Sequence, residues 1–536
     1  MLYPVVESSG TTSVAVHCAA GTSGSTVVSF GMPFPRGFVT DANRVRVETS
    51  AGAEVAADAT ELARWRHFSD SAVDGQSIRS VLLSFRHDCT STTPATYTVR
   101  WGSARSLSAA TGITPANVAS LTWGAKQAPV AGEHTQTDNY EVDTASDPVR
   151  EPRAWAALPA AWLMKQNLRG PASPITVSGS RSNLLGFMRT YVNDVASDVT
   201  AYESADNGQG LVNWSSEVEG WLYDRPSTLW SAYTQTGDVK WLRHAHRASQ
   251  FYGSNIASSG QRGSFSKKPG DAKYSLNAGL YAAYLLTGDA RLLDKIRAVA
   301  ELVATVPTRL PAYAQTSGLW TERHVGAALA GALYAWEATG DVTFKTRVSQ
   351  IVSGMQADVS SPPSGYPSAT QMAGVLLHRP EVHEGDSYPD VIMSPWMSAL
   401  MMEAMWHYYL LSDDGVALGF LSNYAEFVAQ RAITQDGATW APWYLSGLAG
   451  NYYSAEAEHA HDVLGLLARG RWARQRLGLP TTQVDTQIAR MRTTADATFA
   501  EWVRTSTGLP RYRLAPTRKA GWWYGTTYDL AWFGLD

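Results

Sequence analysis

The pattern of hydrophobic and polar residues changes near residue 110. Before it, short runs such as SVAVHCAA, STVVSF, RVRVETS, IRSVLLSF and TYTVRW alternate or cluster β-branched residues, and Gly, Pro, Ser and Asp separate them. This spacing predicts a small β barrel or sandwich over residues 1–110. Residues 111–150 show little periodicity, which predicts a connecting segment there.

An internal repeat follows the connecting segment. The tripeptide Thr-Gly-Asp occurs at 236–238, 287–289 and 339–341 with similar flanks, and weaker copies follow at Asp413-Asp414 and in LLARGRWARQRLGLPTTQVDTQIARM. In each copy, Gly should end an apolar helix in the left-handed conformation, and Asp should cap the next helix. The repeat therefore predicts successive helical hairpins.

The predicted fold class is α+β and multidomain, with the small β domain followed by a large (α/α) toroid of helical hairpins. About five or six hairpins at this period would form the toroid over residues 151–505, and 506–536 would be a C-terminal extension that closes on it. A straight solenoid of the same hairpins is the structural alternative.

The loops that precede the first helix of each hairpin should meet at one mouth of the toroid. These loops are 223–227, 271–277, 319–326, 381–396 and 451–462, and they are rich in aromatic and charged residues. The predicted catalytic residues are His324, Tyr274, Arg323 and Tyr388. The predicted substrate-binding residues are Lys273, Asn277, Asp224, Arg225, Glu322, Trp320, Glu384, Trp396 and His459.

The residue types in these loops suggest acid–base chemistry on an acidic sugar. Arg323 can pair with a uronic carboxylate, and His324 can accept a proton or polarise that carboxylate. Tyr274 and Asn277 are spaced to share one helix face, and a phenol can shuttle a proton when a cation lowers its pKa. Helix capping and salt bridges are the competing structural roles for all of these residues.

The loop around His383 does not make a convincing metal motif. His383, Glu384 and Asp386 have ligand-like side chains, but the types are mixed and no second motif supports them. A sugar-contacting loop is the preferred interpretation, and neither a metal nor a cofactor is expected.

Composition narrows the function classes. The net charge is −4 without a polybasic run, and no stretch of 18 or more apolar residues occurs, so neither nucleic acid nor a membrane is an expected partner. No GxSxG, P-loop, GxGxxG or HExxH motif is present. The 20 Trp and 24 Tyr fit either sugar stacking or a large helical core.

The N-terminal segment and the cysteines bear on localisation. MLYPVVESSGTTS lacks the basic and apolar regions of a secretory signal, so the protein stays inside its cell, has a signal that is missing from this sequence, or leaves by another route such as lysis. Of these alternatives, the expected localisation is extracellular or virion-associated. The sequence is compatible with two kinds of protein partner, namely virion proteins and further copies of the same chain. Cys18 and Cys89 can form one disulfide or remain two buried thiols.

One segment carries a family resemblance. Gly31-Met-Pro-Phe-Pro-Arg-Gly37, the strands after it, and the run Trp65, Asp74-Gly75 and Ile78-Arg79 resemble the N-terminal barrel of the exo-rhamnogalacturonan lyase-like family. The Thr-Gly-Asp hairpins resemble that family's toroid, so the resemblance spans about residues 25 to 470.

The resemblance implies a polysaccharide lyase that cleaves beside a uronic acid by β-elimination. A depolymerase carried by a phage is compatible with this expectation. The acidic polysaccharide would be its substrate, with Arg323, Lys273 and Asn277 on the carboxylate and His324, Tyr274 or Tyr388 moving protons. Two alternatives stand beside it. One is a glycoside hydrolase that uses two carboxylates of the same loops. The other is a non-catalytic glycan-binding or structural phage-tail protein.

Overall fold

The computed structural model describes residues 6–91, 93–107, 112–114, 116–125, 149–174, 221–506 and 517–535. The chain forms two compact units. Unit 1 comprises Met1–Val299, Tyr334–Gly340 and Leu509–Trp522, and unit 2 comprises Ala300–Leu333, Asp341–Gly508 and Trp523–Asp536. Most of the predicted connecting segment 111–150 lies outside the described residues. The domain boundaries at 110, 150 and 505 stay predictions.

The described part of unit 1 contains three antiparallel sheets. Their strands are β1 Gly10–Cys18, β2 Gly24–Pro33, β3 Val45–Thr49, β4 Glu54–Val55, β5 Ala57–Arg64, β6 Ile78–Cys89, β7 Ala95–Trp101, β8 Trp123–Ala125, β9 Arg150–Pro152 and β10 Ala154–Ala157. The strand orders are β10-β1-β7-β3-β4, β2-β6-β5 and β8-β9. These described sheets are open at both edges and not closed, so the predicted barrel is not confirmed.

A disulfide joins the two larger sheets of unit 1. Cys18 ends β1 in one sheet, Cys89 ends β6 in the other, and their sulfur atoms are bonded. Between Cys18 and Cys89 lie both strands of the long β2–β6 pair, which runs from Gly24 opposite Cys89 to Pro33 opposite Ser80. Of the two states that the sequence left open for these cysteines, the structure has the bonded one.

The helices of the chain follow the repeat. Short helices are α1 Val118–Thr122, α2 Ala160–Leu163 and α9 Ala369–Met372. The longer ones are α3 Arg225–Thr236, α4 Val239–Ser254, α5 Ala278–Thr287, α6 Arg291–Val303, α7 Glu322–Thr339, α8 Val342–Ser360, α10 Pro395–Ser412, α11 Gly415–Arg431, α12 Ala460–Arg476, α13 Thr482–Ser506 and α14 Thr517–Thr527.

The predicted turn chemistry is confirmed at the hairpins. Gly237 ends α3 with φ 67°, its N–H donates to the Tyr233 carbonyl at 2.7 Å, and the Asp238 carboxylate accepts from the Lys240 N–H at 2.9 Å. The second and third Thr-Gly-Asp turns repeat this arrangement. In the weaker copy, Asp413 takes the left-handed position of Gly at φ 52°. Closure of the hairpins into a toroid stays a prediction.

Gly31, in the segment that carries the family resemblance, lies where β2 passes α5. Ser80 on the neighbouring strand donates its hydroxyl to the Leu285 carbonyl at 2.6 Å. A Cβ built on Gly31 would overlap the same carbonyl oxygen. Only glycine allows this close approach of strand and helix backbones, which gives a packing reason for the residue.

Unit 2 contains a small sheet beside its helices. Its strands are β11 Ile392–Met393, β12 Ile433–Asp436, β13 Thr439–Gly447 and β14 Asn451–Ala455. The other three strands all pair with β13. Helix α10 is buried along nearly its whole length. The end of the chain joins this unit through the buried ion pair between Arg469 and Asp529, at 2.8 Å.

No helix among the described residues has the length and hydropathy needed to cross a bilayer.

Candidate functional site

Three of the five predicted loops meet within unit 2. Loop 319–326 contacts loop 381–396 through Arg323 and Glu384. Loop 381–396 contacts loop 451–462 through Trp396 and His459. The small sheet explains why loops 381–396 and 451–462 lie together. Strand β11 belongs to the first of these loops, β14 belongs to the second, and both pair with β13.

Arg323 is the cation at this meeting point. It lies in the first turn of α7 and is nearly buried, with its guanidinium carbon 5.2 Å from the centre of the Trp396 ring. Its Nη2 donates to Glu384 Oε1 at 2.7 Å, and the Glu384 side chain is 37% exposed. Glu384 has φ 61°, a left-handed conformation that costs a non-glycine residue about 1 kcal/mol or more. A buried guanidinium is therefore neutralised by an exposed carboxylate on a strained loop.

His459 lies against the Trp396 ring, with ring centres 4.9 Å apart and nearly parallel planes. Its Nδ1 is 3.1 Å from Asp462 Oδ2, and its Nε2 is 3.1 Å from Glu456 Oε2. Burial opposes the charged imidazolium, but the two carboxylates outweigh it and raise the pKa of His459. Burial also raises the pKa of Asp462 to about 7, against the lowering effect of His459. His459 and Asp462 therefore contact each other in the interior of unit 2.

A group of tyrosines extends from Trp396 toward solvent. Tyr444 is 5.8 Å from Trp396 and 5.2 Å from Tyr453 between ring centres, and Tyr388 packs on Tyr452 at 4.6 Å. The Tyr453 hydroxyl donates to Asp386 at 3.2 Å, and the Tyr453 side chain is among the exposed large hydrophobic residues. This aromatic cluster consists of Tyr388, Trp396, Tyr444, Tyr452 and Tyr453. The four tyrosines are at least partly exposed, whereas Trp396, which was predicted to bind substrate, is buried beneath them. Such a surface can stack against sugar rings.

Three phenols of the aromatic cluster, those of Tyr444, Tyr452 and Tyr453, have raised pKa values that favour their protonated form. Burial raises the pKa of Tyr444 to about 12, and the nearby Glu384 carboxylate adds to this effect. The Asp386 carboxylate raises the pKa of Tyr453. Burial in turn raises the pKa of Asp386 itself. Near neutral pH, the cluster therefore presents hydroxyl donors to any group bound on it.

His324 and Trp320 occupy less accessible positions than the sequence suggested. His324 is buried, and its Nδ1 is 2.6 Å from the Thr321 hydroxyl, which fixes the orientation of the ring. The Trp320 indole is buried against His378, with ring centres 5.1 Å apart. Trp320 therefore packs in the interior of unit 2, although it was predicted to bind substrate.

Glu322 belongs to a second, fully buried group. It lies near His378 and His383, and the three residues offer ligand atoms that are all within 4.8 Å of one another. Burial raises the pKa of Glu322 to about 8 and lowers that of His383 to about 3. Glu322 was predicted to bind substrate, but its side chain is sealed from solvent here. A set of two imidazoles and a carboxylate can hold a metal ion.

The remaining predicted site residues lie in unit 1. Asp224 caps α3, since its Oδ1 accepts from the Ser227 N–H at 3.0 Å, and its Oδ2 accepts from the Gly279 N–H at 3.0 Å. Arg225 follows Asp224 at the start of α3 and lies 6.0 Å from the Trp221 ring. Asp224 therefore links the beginnings of two helices of unit 1.

Tyr274, Lys273 and Asn277 surround the start of α5. Tyr274 is buried in a 3₁₀ turn, Ala272–Tyr274, and Asn277 is the residue that precedes the helix at Ala278. The predicted shared helix face is wrong, because the helix begins only after both residues. Lys273 lies 3.7 Å from Asp271, and the Asn277 amide donates to the Ile296 carbonyl at 3.3 Å.

Sequence reasoning did not select several residues of unit 2. Tyr444 and Tyr453 lie on or beside the β-hairpin 439–455, which interrupts the helical repeat and was not predicted. The run TWAPWYLSG is rich in aromatic residues, which favour strands, and it was the available signal. His378 lies outside the loop boundaries that the repeat predicted, so spacing alone did not point to it.

Comparison with known proteins gives no family for this chain. No family model matches it, and no curated protein matches it. The resemblance to the exo-rhamnogalacturonan lyase-like family therefore stays an expectation.

Solved structures of carbohydrate-processing enzymes match the chain distantly. A cellobiose 2-epimerase from Bacillus thermoamylovorans B4167 is 12% identical, with a TM-score of 0.42 over 60% of this chain and 86% of that one. A polysaccharide lyase is 10% identical, with a TM-score of 0.43 over 66% and 99%. An inactive α-1,6-mannanase variant of Salegentibacter sp. HEL1_6, in complex with α-1,6-mannotetrose, is 14% identical, with a TM-score of 0.42 over 67% and 100%. These TM-scores lie below 0.5, so the likeness fixes neither a shared fold nor a shared activity.

Proposed function

We propose that the chain is a carbohydrate-active enzyme that binds a uronate-containing polysaccharide at unit 2 and cleaves it by β-elimination. The observation that carries the proposal is the pairing of Arg323 with Glu384 beside Trp396. A nearly buried arginine with an exposed, strained carboxylate as its partner is suited to exchange that partner for a carboxylate of the substrate.

The exchange is favourable for geometric reasons. Glu384 makes one hydrogen bond to Arg323, from Nη2, while Arg323 Nε is buried without a partner among the described residues. A planar guanidinium can bind a carboxylate through two parallel hydrogen bonds. A uronate would therefore gain a second hydrogen bond that Glu384 does not make, and release of Glu384 would relieve its backbone strain.

The aromatic cluster supplies the sugar-binding surface. Trp396, Tyr444 and Tyr453 form a continuous series of rings that begins at Arg323. Sugar rings stack their C–H faces on such residues, and the phenol edges bind hydroxyl groups. In this proposal, an acidic sugar would bind with its carboxylate on Arg323 and its neighbouring sugars on the tyrosines.

The elimination itself moves one proton off carbon and one onto oxygen. A base removes the proton from C5, the electron pair forms the C4–C5 double bond, and the C4–O bond breaks with the pair going to the leaving oxygen. Arg323 stabilises the charge that develops on the carboxylate. His324 is the proposed proton acceptor. The phenols of Tyr388 and Tyr453 are the proposed donors to the leaving oxygen.

A glycoside hydrolase is the second candidate, because exposed carboxylates also surround the cluster. Glu384 and Asp386 lie close enough to interact electrostatically, and both belong to the loop that carries Tyr388. Hydrolysis needs one carboxylic acid and one carboxylate. The two reactions leave different products, since only elimination creates a double bond.

The test is a panel of acidic polysaccharides assayed for ultraviolet absorbance of the unsaturated product and for new reducing ends. Both signals together support the lyase, and reducing ends alone support the hydrolase. If neither signal is observed, catalysis on these substrates is refuted. Arg323→Lys should lower kcat/KM about 10²- to 10³-fold, the cost of removing an oriented charge donor. Arg474→Lys is the matched control, because Arg474 makes a similarly buried pair with Glu426 at 3.0 Å. Equal activity of the two variants would refute the role of Arg323.

A further inference from the structure

A buried group of three ligand-type side chains lies behind Arg323 in unit 2. Glu322 is in the first turn of α7, and His378 and His383 stand on either side of the 3₁₀ turn Pro380–Val382. All three side chains are at most 1% exposed. His378 Nδ1 is 3.4 Å from Glu322 Oε1, and His378 Nε2 is 2.7 Å from His383 Nδ1. The proposed uronate exchange does not use any of these atoms.

Hydrogen bonds within unit 2 do not account for this group. In the described part of the chain, Glu322 Oε2 and His383 Nε2 have no hydrogen-bond partner, and neither does His378 Nδ1. Native proteins rarely leave several neighbouring polar atoms unsatisfied in their interior. A relay of hydrogen bonds would explain the contact between the two imidazoles, but the atoms at the two ends of that relay would still lack partners.

A bound cation would give a partner to atoms that hydrogen bonds leave unsatisfied. His378 Nδ1 and Glu322 Oε1 lie 3.4 Å apart, and both His378 Nδ1 and Glu322 Oε2 lack a hydrogen-bond partner among the described residues. Neutral imidazole is the form that binds a metal.

We propose that Glu322, His378 and His383 form a binding site for a divalent transition-metal ion, with Zn²⁺ as the first candidate. Two imidazoles and one carboxylate are a ligand set of zinc proteins, whereas Ca²⁺ and Mg²⁺ prefer oxygen ligands. The ligand atoms lie within 4.8 Å of one another. Bond lengths of about 2.0–2.2 Å require the ligand atoms to shift, and metal binding would break the hydrogen bond between the two histidines.

The position of the site suggests what the ion would do. Glu322 immediately precedes Arg323, and His383 immediately precedes Glu384. An ion bound to both ligands would connect the start of α7 to the loop that carries Glu384. It would therefore hold Arg323 in place when its partner carboxylate leaves. Metal binding itself does not depend on the proposed reaction, whereas this role of the ion rests on the proposed function.

The test uses the whole chain without any carbohydrate. Protein dialysed against a chelator is titrated with Co²⁺, whose visible absorption reports coordination geometry, and then with Zn²⁺ in competition. Metal content is measured by mass spectrometry. Wild-type protein should bind about one ion per chain with a four-coordinate Co²⁺ spectrum. His383→Gln and Glu322→Gln should each weaken binding at least about 100-fold.

His407→Gln is the matched control, because His407 is another buried histidine of unit 2 and should leave binding unchanged. Circular dichroism and thermal unfolding verify that each variant folds. If a variant does not fold, the wild-type titration still decides, since a chain that binds no ion refutes the proposal. Binding that survives in His383→Gln and Glu322→Gln would also refute it. Binding lost only in His459→Gln would refute the proposal and assign the ion to a different ligand-type group, Glu456, Glu458 and His459.

Discussion

Replacing Asp462 by Asn should remove a pH-dependent loss of stability in unit 2. Asp462 is completely buried in the first turn of α12, where it contacts His459 and accepts from the Thr526 hydroxyl at 3.3 Å. Glu458 is the nearby acidic group, and it opposes ionisation of Asp462. The neutral carboxyl is therefore favoured in the fold relative to the unfolded chain.

The direction and size of the change in stability with pH follow from the pKa of the Asp462 carboxyl, which burial raises from 3.8 to about 7. The folded state binds the proton more tightly, so stability falls as pH rises from about 4 and levels off above about 7. A difference of about 3 pKa units corresponds to about 4 kcal/mol at most, of which about 3 kcal/mol is lost between pH 4.5 and pH 8. The raised pKa of His459 acts in the same direction, because its contribution is present below its unfolded pKa and disappears at higher pH.

Urea unfolding at a series of pH values, followed by tryptophan fluorescence, measures this difference. Asn has the same shape and can keep a hydrogen bond to Thr526, so Asp462→Asn should unfold at higher urea than wild type at pH 8 and approach wild type at pH 4.5. Asp358→Asn is the contrasting control. Asp358 is also buried, but its carboxylate accepts from Arg309 Nε and from the Leu310 N–H, both at 2.7 Å. Its replacement should lower stability at pH 8. Parallel curves for wild type and Asp462→Asn across the pH range would refute the reasoning.

Two further predictions concern stability. Cys18→Ser with Cys89→Ser opens a crosslink with a sequence separation of 71 residues, so chain entropy predicts a loss of up to about 4 kcal/mol in unit 1, measured by denaturant unfolding with and without reductant. Gly326→Ala should lower the free energy of unfolding by about 1–3 kcal/mol, because the new Cβ would lie 2.8 Å from the Met401 Cα. Gly419→Ala should instead raise it by about 0.5–1 kcal/mol, because the space around Gly419 in α11 is open. An equal effect of both glycine variants on thermal unfolding would contradict this packing argument.

Local sequence was enough to predict the hairpins. Gly237 and Asp238 act through hydrogen bonds to residues two to four positions away, so a tripeptide carries most of the information for the turn. The sequence also determined which loops of unit 2 hold the aromatic and charged residues. It did not determine the start of α5, because Tyr274 and Asn277 suited either a helix face or the turn before it.

Contacts between distant residues were decided only by tertiary structure. Whether the N-terminal strands close into a barrel depends on pairing across the whole segment, and the described sheets remain open. Arg323 meets Glu384 across 61 residues, and Glu322 is brought to His378 across 56, so no local spacing reports either pairing. The pKa values of Glu322 and Asp462 depend on burial, which many residues from separate elements produce together. Short-range hydrogen bonds depend on neighbouring residues and can be predicted from them, whereas burial and long-range pairing arise only when the chain has folded.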